Sequence, residues 1–277
     1  MRAARAWRRV GIWLAGALLV VNGLFPALWI LFTSLKTEAE LTRLPITYWP
    51  QEPTLANYER AFREAPLLRY FLNSLVVAAG STALCVAVSA MAAYALARLR
   101  LAYAGAILLA LVALAMFPPA TLLVSLYQIF TGLGLRNTYL GLILPHAALS
   151  LPVAVLVLYS FFKTIPRDLE AAALVDGCTR VGALRYVILP LSGPGVFTAS
   201  LLAFVNSWDE FLLALTLAPA REMRTLPVGI TLYQGEYLFP WPLISAALVV
   251  AMVPVALVIA VFQERIVAGL TQGALKG

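Results

Sequence analysis

The chain has 277 residues, of which 62% are apolar and only 12% are charged, and its mean hydropathy is +0.89. A soluble domain carries about 25% charged residues, so this composition excludes a water-soluble globular domain and predicts an integral membrane protein. The net charge of +7 does not indicate nucleic-acid binding, because the basic residues are scattered through short loops. No Cys/His cluster has metal-ligand spacing.

Six apolar runs follow one another along the chain, and each can supply the roughly 20 residues that cross the hydrocarbon core as a helix. We predict spans at about 12–34, 71–97, 104–127, 139–162, 190–217 and 241–263. Pro118-Pro119 is expected to kink the third span. Because lipid cannot satisfy backbone polar groups, the predicted fold class is an all-α integral membrane protein with six transmembrane helices in a single domain.

The distribution of basic residues predicts the orientation of these spans. With the N-terminus in the cytoplasm, the inside segments hold 12 Lys and Arg residues and the outside segments hold 8. Five of those eight lie in the loop Lys36–Arg69, which also carries five glutamates. By the positive-inside rule, both termini are therefore expected in the cytoplasm.

The longest predicted cytoplasmic loop, at 163–190, has the local chemistry of a short helix. Pro166 suits a first-turn position, and Asp168 and Glu170 suit the positively polarised N-terminus of a helix. Three alanines follow, and Gly177 then ends the helix or turns the chain. Such a small-sided helix can lie in a groove on another protein. An ordinary amphipathic loop helix explains the same pattern equally well.

This loop resembles the EAA loop of ATP-binding-cassette (ABC) importer permeases, which reads EAA, three residues, Gly, nine residues, Ile, one residue, Leu-Pro. Counting nine residues from Gly177 leads to Val187 in place of the isoleucine, and Leu-Pro follows two positions later. The motif glutamate position is occupied by Ala171, and Glu170 stands one residue early. The resemblance implies a coupling loop that docks an ATPase through Glu170, Ala171, Ala172, Ala173, Asp176, Gly177, Leu189 and Pro190.

Further motifs extend the resemblance over nearly the whole chain, specifically to MalG-type subunits of carbohydrate importers and nearest to their trehalose/maltose branch. They occur in the family order, as Leu31–Lys36, Asn57-Tyr58, Asn73-Ser74, Ala93–Arg98, Thr138–Leu144, Trp208–Phe211, Thr225–Gly229 and Ile266–Gly277. The resemblance implies the type I importer permease fold in a bacterial cytoplasmic (inner) membrane. It also implies three kinds of protein partner: a second, MalF-like permease, an ATPase dimer and an extracytoplasmic sugar-binding protein.

The residues expected to face the substrate lie in the fifth span. Charges inside a membrane normally face a cavity or a partner, so we predict that Asn206, Trp208, Asp209 and Glu210 line the translocation pathway. Asp209 and Glu210 could instead lie at the outer interface or pair with the second permease. In the last outer loop, Tyr233 and Tyr237 could contact the binding protein, and an interfacial aromatic belt explains them about equally well.

The predicted function is passage of a di- or oligosaccharide such as trehalose or maltose, driven by a separate ATPase. The chain has no GxxxxGK[ST] phosphate loop and no nucleophile–base arrangement, so we expect no enzymatic activity and no cofactor in it, with ATP and Mg bound by the ATPase. The alternative is a self-contained secondary transporter or channel, coupled to protons through Asp209, Glu210 or His146. For His146, a local hydrogen bond at a helix end is the favoured interpretation.

Overall fold

Helices make up every regular element in the part of the chain that the structure describes. The computed structural model describes the backbone of residues 2–234 and 239–274 and the side chains of residues 11–234 and 239–262. The helices are α1 (Arg2–Ser34), α2 (Glu38–Leu41), α3 (Ala56–Glu64), α4 (Leu67–Arg98), α5 (Ala104–Ala115), α6 (Leu123–Gly132), α7 (Tyr139–Thr164), α8 (Arg167–Val175), α9 (Arg180–Ala183), α10 (Leu189–Leu191), α11 (Gly193–Trp208), α12 (Leu212–Leu217), α13 (Leu226–Thr231) and α14 (Trp241–Ala274). A 3₁₀ turn (Pro119–Leu122) precedes α6, and a π-helical segment (Leu184–Ile188) joins α9 to α10.

Four of the described helices are individually long and apolar enough to cross a membrane, namely the Gly11–Ser34 part of α1, α4, α7 and the Trp241–Phe262 part of α14. Two further pairs satisfy the same criteria together but are sharply bent, α5 with Pro119–Gly132 by 91° and Arg180–Leu191 with Gly193–Trp208 by 87°. Counting each bent pair as one span gives six. The first bend lies where Pro118-Pro119 predicted a kink, because proline removes a backbone donor and clashes with the preceding turn.

The predicted spans at 12–34, 71–97 and 139–162 lie within α1, α4 and α7. The run at 104–127 is divided between α5 and α6. The run at 190–217 contains the 87° bend before Gly193 and is interrupted again at residues 209–211, between α11 and α12. The break between α11 and α12 leaves backbone N–H groups at the start of α12 without partners in their own helix, so side chains can contribute hydrogen bonds there.

Contacts within the chain divide it into two compact units, Met1–Leu68 with Gly229–Val253, and Arg69–Val228 with Pro254–Gly277. In the first unit, two of the family motifs contact each other. The Asn57 amide donates to the carbonyls of Ser34 (2.8 Å) and Lys36 (2.9 Å), and the Tyr58 and Ser34 hydroxyls are 2.7 Å apart. The Asn57 amide thus satisfies one carbonyl at the end of α1 and one just beyond it, where the helix has no donors of its own.

The second unit has a core in which α7 packs against α11 and α5. Its fully buried members include Val155, Leu158, Phe162 and Ile188, and small residues such as Ala199 lie among them. In a membrane, helices associate mainly through van der Waals packing, which small residues allow by letting backbones approach closely. The same core includes Leu184 and Ile188 of the π-helical segment together with residues of α4 and α7.

Candidate functional site

The predicted coupling loop contains a short helix whose limits are set by the residues that flank it. Pro166 precedes α8, whose first turn holds Asp168 and Glu170. At its end, Gly177 has a φ of +90°, a conformation that favours glycine. The Gly177 N–H donates to Leu174 O (3.2 Å) and the Cys178 N–H to Ala173 O (2.9 Å), which is the hydrogen-bond pattern of a Schellman C-cap.

The predicted coupling residues divide between an outer and an inner side of this loop. Ala173 is buried, Glu170 and Leu189 are half-buried, and the exposed members are Ala171, Ala172, Asp176, Gly177 and Pro190. Val175, at the end of α8, is 87% exposed. The exposed side thus combines the small side chains of Ala171 and Ala172 and the apolar Val175 with charged residues at its ends, such as Asp176, and small side chains allow a helix to lie close in a groove.

The carboxylate of Glu170 turns toward the membrane helices. Its Oε1 accepts a 2.5 Å hydrogen bond from the Tyr94 hydroxyl, and its Oε2 lies 3.7 Å from Arg98 Nε. The sequence prediction assigned Tyr94 only to a family motif, Ala93–Arg98, and Arg98 to that motif and to the basic residues of the inside segments. Their i,i+4 spacing puts both side chains on one face of α4, and this spacing could have indicated from the sequence that they contact the same group.

A cavity of about 540 Å³ opens beside the broken helix α11–α12. Its lining is mainly apolar, from α5, α7, α11 and the Pro118-Pro119 bend, and its polar members are Ser150, Asn206 and Glu210. The Asn206 amide donates to the Ser150 hydroxyl at 3.0 Å. The structure thus brings two of the four predicted pathway residues to one cavity, together with Ser150, which sequence reasoning had not selected.

The other two predicted pathway residues lie elsewhere. Trp208 is 3% exposed and packs edge-on against Phe71 (5.6 Å between centroids) and stacked on Phe204 (5.8 Å). Asp209 is exposed and caps the C-terminal end of α11. Neither is among the residues that line the cavity.

Glu210 holds the break in the helix. Its two carboxylate oxygens accept from the backbone N–H groups of Leu213 (2.8 Å) and Ala214 (3.1 Å), at the start of α12. Its Oε2 is also 3.4 Å from Nε2 of His146, a buried residue of α7. The other ring nitrogen of His146, Nδ1, contacts the carbonyl of Leu142, one turn earlier, so the local contact predicted for this histidine is accompanied by a long-range one.

Of the two tyrosines predicted to contact a binding protein, Tyr233 is buried, and its hydroxyl donates to the carbonyl of Ala61 within the first unit. Tyr237 lies outside the described residues. Trp241, just beyond it, is 55% exposed and stacks on Phe239.

Comparison with known proteins assigns this helical fold to the membrane subunits of ABC importers. The crystal structure of a bacterial ABC transporter involved in the import of the acidic polysaccharide alginate contains a similar chain, with a TM-score of 0.81, 95% of this chain and 98% of that chain covered, and 20% sequence identity. At that identity the likeness shows the fold alone. It confirms the prediction of an all-α, type I importer permease fold.

The comparisons of sequence establish the family. The model of the binding-protein-dependent transport system inner membrane component matches residues 85–272. The sulfoquinovosyl glycerol transport system permease protein SmoH of Agrobacterium fabrum is 61% identical over 95% of this chain and 93% of that protein. The trehalose/maltose transport system permease protein MalG of Thermococcus litoralis is 35% identical over 98% of both. The chain belongs to the family of inner membrane components of binding-protein-dependent transport systems, and it is a non-catalytic membrane subunit, as predicted.

Proposed function

We propose that this chain is one of two non-identical permease subunits of an ATP-driven importer whose substrate is sulfoquinovosyl glycerol or a closely related glycoside. The proposed substrate rests on the 61% identity to a sulfoquinovosyl glycerol permease over 95% of the chain. The trehalose/maltose relative shares 35%. The substrate proposed here is therefore a sulfonated glycoside in place of the trehalose or maltose expected from the sequence motifs.

The cavity beside Asn206 is proposed as this chain's part of the translocation pathway. The amide of Asn206 and the hydroxyl of Ser150 offer hydrogen bonds to sugar hydroxyls, and the apolar lining suits the carbon faces of a sugar ring. Among the described residues that line it, Glu210 is the ionisable one and none is basic. Selection for the anionic sulfonate is accordingly assigned to the binding protein or to the second, MalF-like permease.

The exposed side of α8 is proposed to dock an ATPase, which would bind ATP and Mg in the complex. The positive-inside count of 12 against 8 supports a cytoplasmic position for this loop and for both termini. The small side chains of Ala171 and Ala172 and the exposed apolar Val175 support insertion into a groove. ATP-driven closure of the ATPases would then pull on this helix and rock the spans from an inward-open to an outward-open state.

The outer loop at 218–240 is proposed to contact the extracytoplasmic binding protein. Tyr233 would support the base of this loop, because its hydroxyl donates a hydrogen bond to the carbonyl of Ala61. Tyr237 is the proposed direct contact.

Uptake by the reconstituted complex tests the substrate. The chain is assembled in vesicles with its partner permease, the ATPase and the binding protein, and uptake of labelled sulfoquinovosyl glycerol, trehalose and maltose is measured with and without ATP. We expect ATP-dependent uptake of sulfoquinovosyl glycerol in preference to both disaccharides. Uptake by this chain alone, driven by a pH gradient and indifferent to ATP, would instead favour a proton-coupled secondary transporter.

Crosslinking tests the docking surface. A cysteine introduced by Ala172→Cys should crosslink to the ATPase, because this side chain lies on the exposed side of α8. The matched control is Arg136→Cys, in the loop before α7 and predicted to lie on the opposite side of the membrane. Crosslinking from position 136 but not from position 172 would reverse the proposed orientation.

A further inference from the structure

We propose that Glu170 is a positioning residue that ties the docking helix α8 to the membrane helices α4 and α7, and that it does not serve as the carboxylate that binds the ATPase. This inference rests on the proposed docking of α8. It addresses the shifted glutamate of the loop, whose expected position is occupied by Ala171.

The first observation is the burial of the contact. The Glu170 side chain is 13% exposed and the Arg98 side chain is 2% exposed. The Tyr94 hydroxyl donates to one oxygen of the carboxylate at 2.5 Å, and the guanidinium of Arg98 lies beside the other at 3.7 Å. A carboxylate held by a hydrogen bond and a buried counter-ion is unavailable to a partner unless both contacts break, and breaking a buried ion pair is strongly unfavourable.

The second observation is that Arg98 joins three elements. Besides its contact with Glu170, its Nη2 donates to the carbonyls of Phe162 (2.5 Å) and Ile165 (2.8 Å). These carbonyls lie in the last turn and at the C-cap of α7, where a helix has acceptors without partners in its own ladder and favours a positive charge. One guanidinium therefore holds the end of α4, the end of α7 and the start of α8 together.

The third observation is the division of α8 into two faces. Ala173, one turn after Glu170, is also turned inward and is 7% exposed. Ala172 lies about 200° around the helix from Glu170 and is exposed, as is Val175. The same helix thus presents Ala172 and Val175 outward while the carboxylate of Glu170 contacts the membrane helices on its inner face.

A displacement of α8 by the ATPase would be carried directly into the ends of α4 and α7. Packed helices transmit motion when they move as rigid bodies with their contacts kept. Without the contact from Glu170, α8 could still dock. It would then rotate relative to α4 and α7, and its displacement would not move these two helices. The expected defect is loss of coupling with retention of assembly.

The test uses Glu170→Gln and Tyr94→Phe in the full complex, with Glu59→Gln and Tyr103→Phe as matched controls at exposed positions. Three quantities are measured: co-purification of the ATPase, melting temperature, and substrate molecules imported per ATP hydrolysed. We expect both test variants to retain the ATPase and to lower the import per ATP by at least about fivefold. The double variant should lose little more than either single one, since the two residues share one contact.

Two results would overturn the inference. One is loss of ATPase binding in Glu170→Gln comparable to that caused by the bulky substitution Ala172→Trp, which would make Glu170 a docking residue. The other is an unchanged import per ATP in both test variants. Tyr94→Phe removes a single hydroxyl and so keeps the test informative if Glu170→Gln fails to fold. A wild-type chain that binds no ATPase would instead refute the proposed function itself.

Discussion

The imidazole of His146 lies 3.4 Å from the carboxylate of Glu210, and this contact ties α7 to the break between α11 and α12. The same carboxylate accepts from the backbone N–H groups of Leu213 and Ala214. The first N–H groups of a helix have no acceptors in its own ladder. Glu210 supplies acceptors for two of them. Its carboxylate therefore stabilises the start of α12 in addition to lining the cavity.

Glu210→Gln is therefore expected to destabilise the protein. The amide offers one acceptor oxygen in place of two, and losing such a cap costs about 0.5–2 kcal/mol. We expect a melting temperature several degrees lower in detergent, whereas Glu222→Gln at an exposed position should change it little. Because His146 shares the contact, Glu210→Gln and His146→Leu should combine less than additively. Strict additivity would show that the two side chains act independently.

Gly141→Ala is expected to disrupt the start of α7. A Cβ at this position would lie 2.0 Å from the backbone oxygen of Leu135, which cannot move as a flexible side chain could. Overpacking costs about 1–3 kcal/mol or more, so the yield of folded protein and its melting temperature should both fall. At Gly132 a Cβ would meet nothing within 4 Å, and Gly132→Ala should be tolerated. Equal behaviour of the two variants would contradict this packing.

Glu40 is expected to make the stability of the first unit depend on pH. Burial disfavours its charged form, but the Thr47 hydroxyl, the Gln51 N–H and the charge of Lys36 outweigh burial and lower the pKa of Glu40 below its usual value. Because the pKa of Glu40 is lower in the folded protein than the unfolded value of about 4.3, the ionised side chain stabilises the folded state at pH values above 4.3. This stabilisation is lost as the pH falls through the folded pKa.

The corresponding measurement is the melting temperature of wild type and Glu40→Gln as a function of pH. The variant should be less stable near neutral pH, and the difference should shrink as pH falls below about 4. The matched control is Glu52→Gln, at an exposed position, which should show no such trend. A constant difference between wild type and Glu40→Gln at all pH values would contradict the assignment.

Asn73→Ala is expected to release the loop that precedes α13. The Asn73 amide donates to the carbonyls of Glu222 and Arg224, both at 2.9 Å, and its oxygen accepts from the Tyr139 hydroxyl at 2.8 Å. Losing these bonds should raise the population of locally opened loop by roughly tenfold. Trypsin cleavage after Arg224 should accelerate accordingly.

Two controls accompany the cleavage measurement. Tyr139→Phe leaves both carbonyl contacts of Asn73 in place and should accelerate cleavage less than Asn73→Ala does. Gln128→Ala removes an exposed side chain on α6 and should leave the rate unchanged. An unchanged rate in Asn73→Ala would show that other contacts hold the loop.

Local chemistry allowed much of the helical structure to be predicted. The apolar runs at 12–34, 71–97 and 139–162 lie within single helices, because helix formation in lipid depends on length and hydropathy, which are readable along the chain. The limits of α8 follow from Pro166 and Gly177, whose effects on the backbone are intrinsic. The same reasoning did not anticipate the burial of Trp208 against Phe71, since the two lie far apart in sequence.

The sequence by itself determined the membrane class, the positions of the long helices and the existence of a short helix beginning near Pro166. These depend on properties of consecutive residues. Only the tertiary structure decided which way the side chains of that helix point. Glu170 faces inward because Tyr94 and Arg98, more than seventy positions earlier in the chain, provide a hydroxyl donor and a buried positive charge. Ala172 is left on the exposed side, so the face proposed for docking follows from contacts that only folding creates.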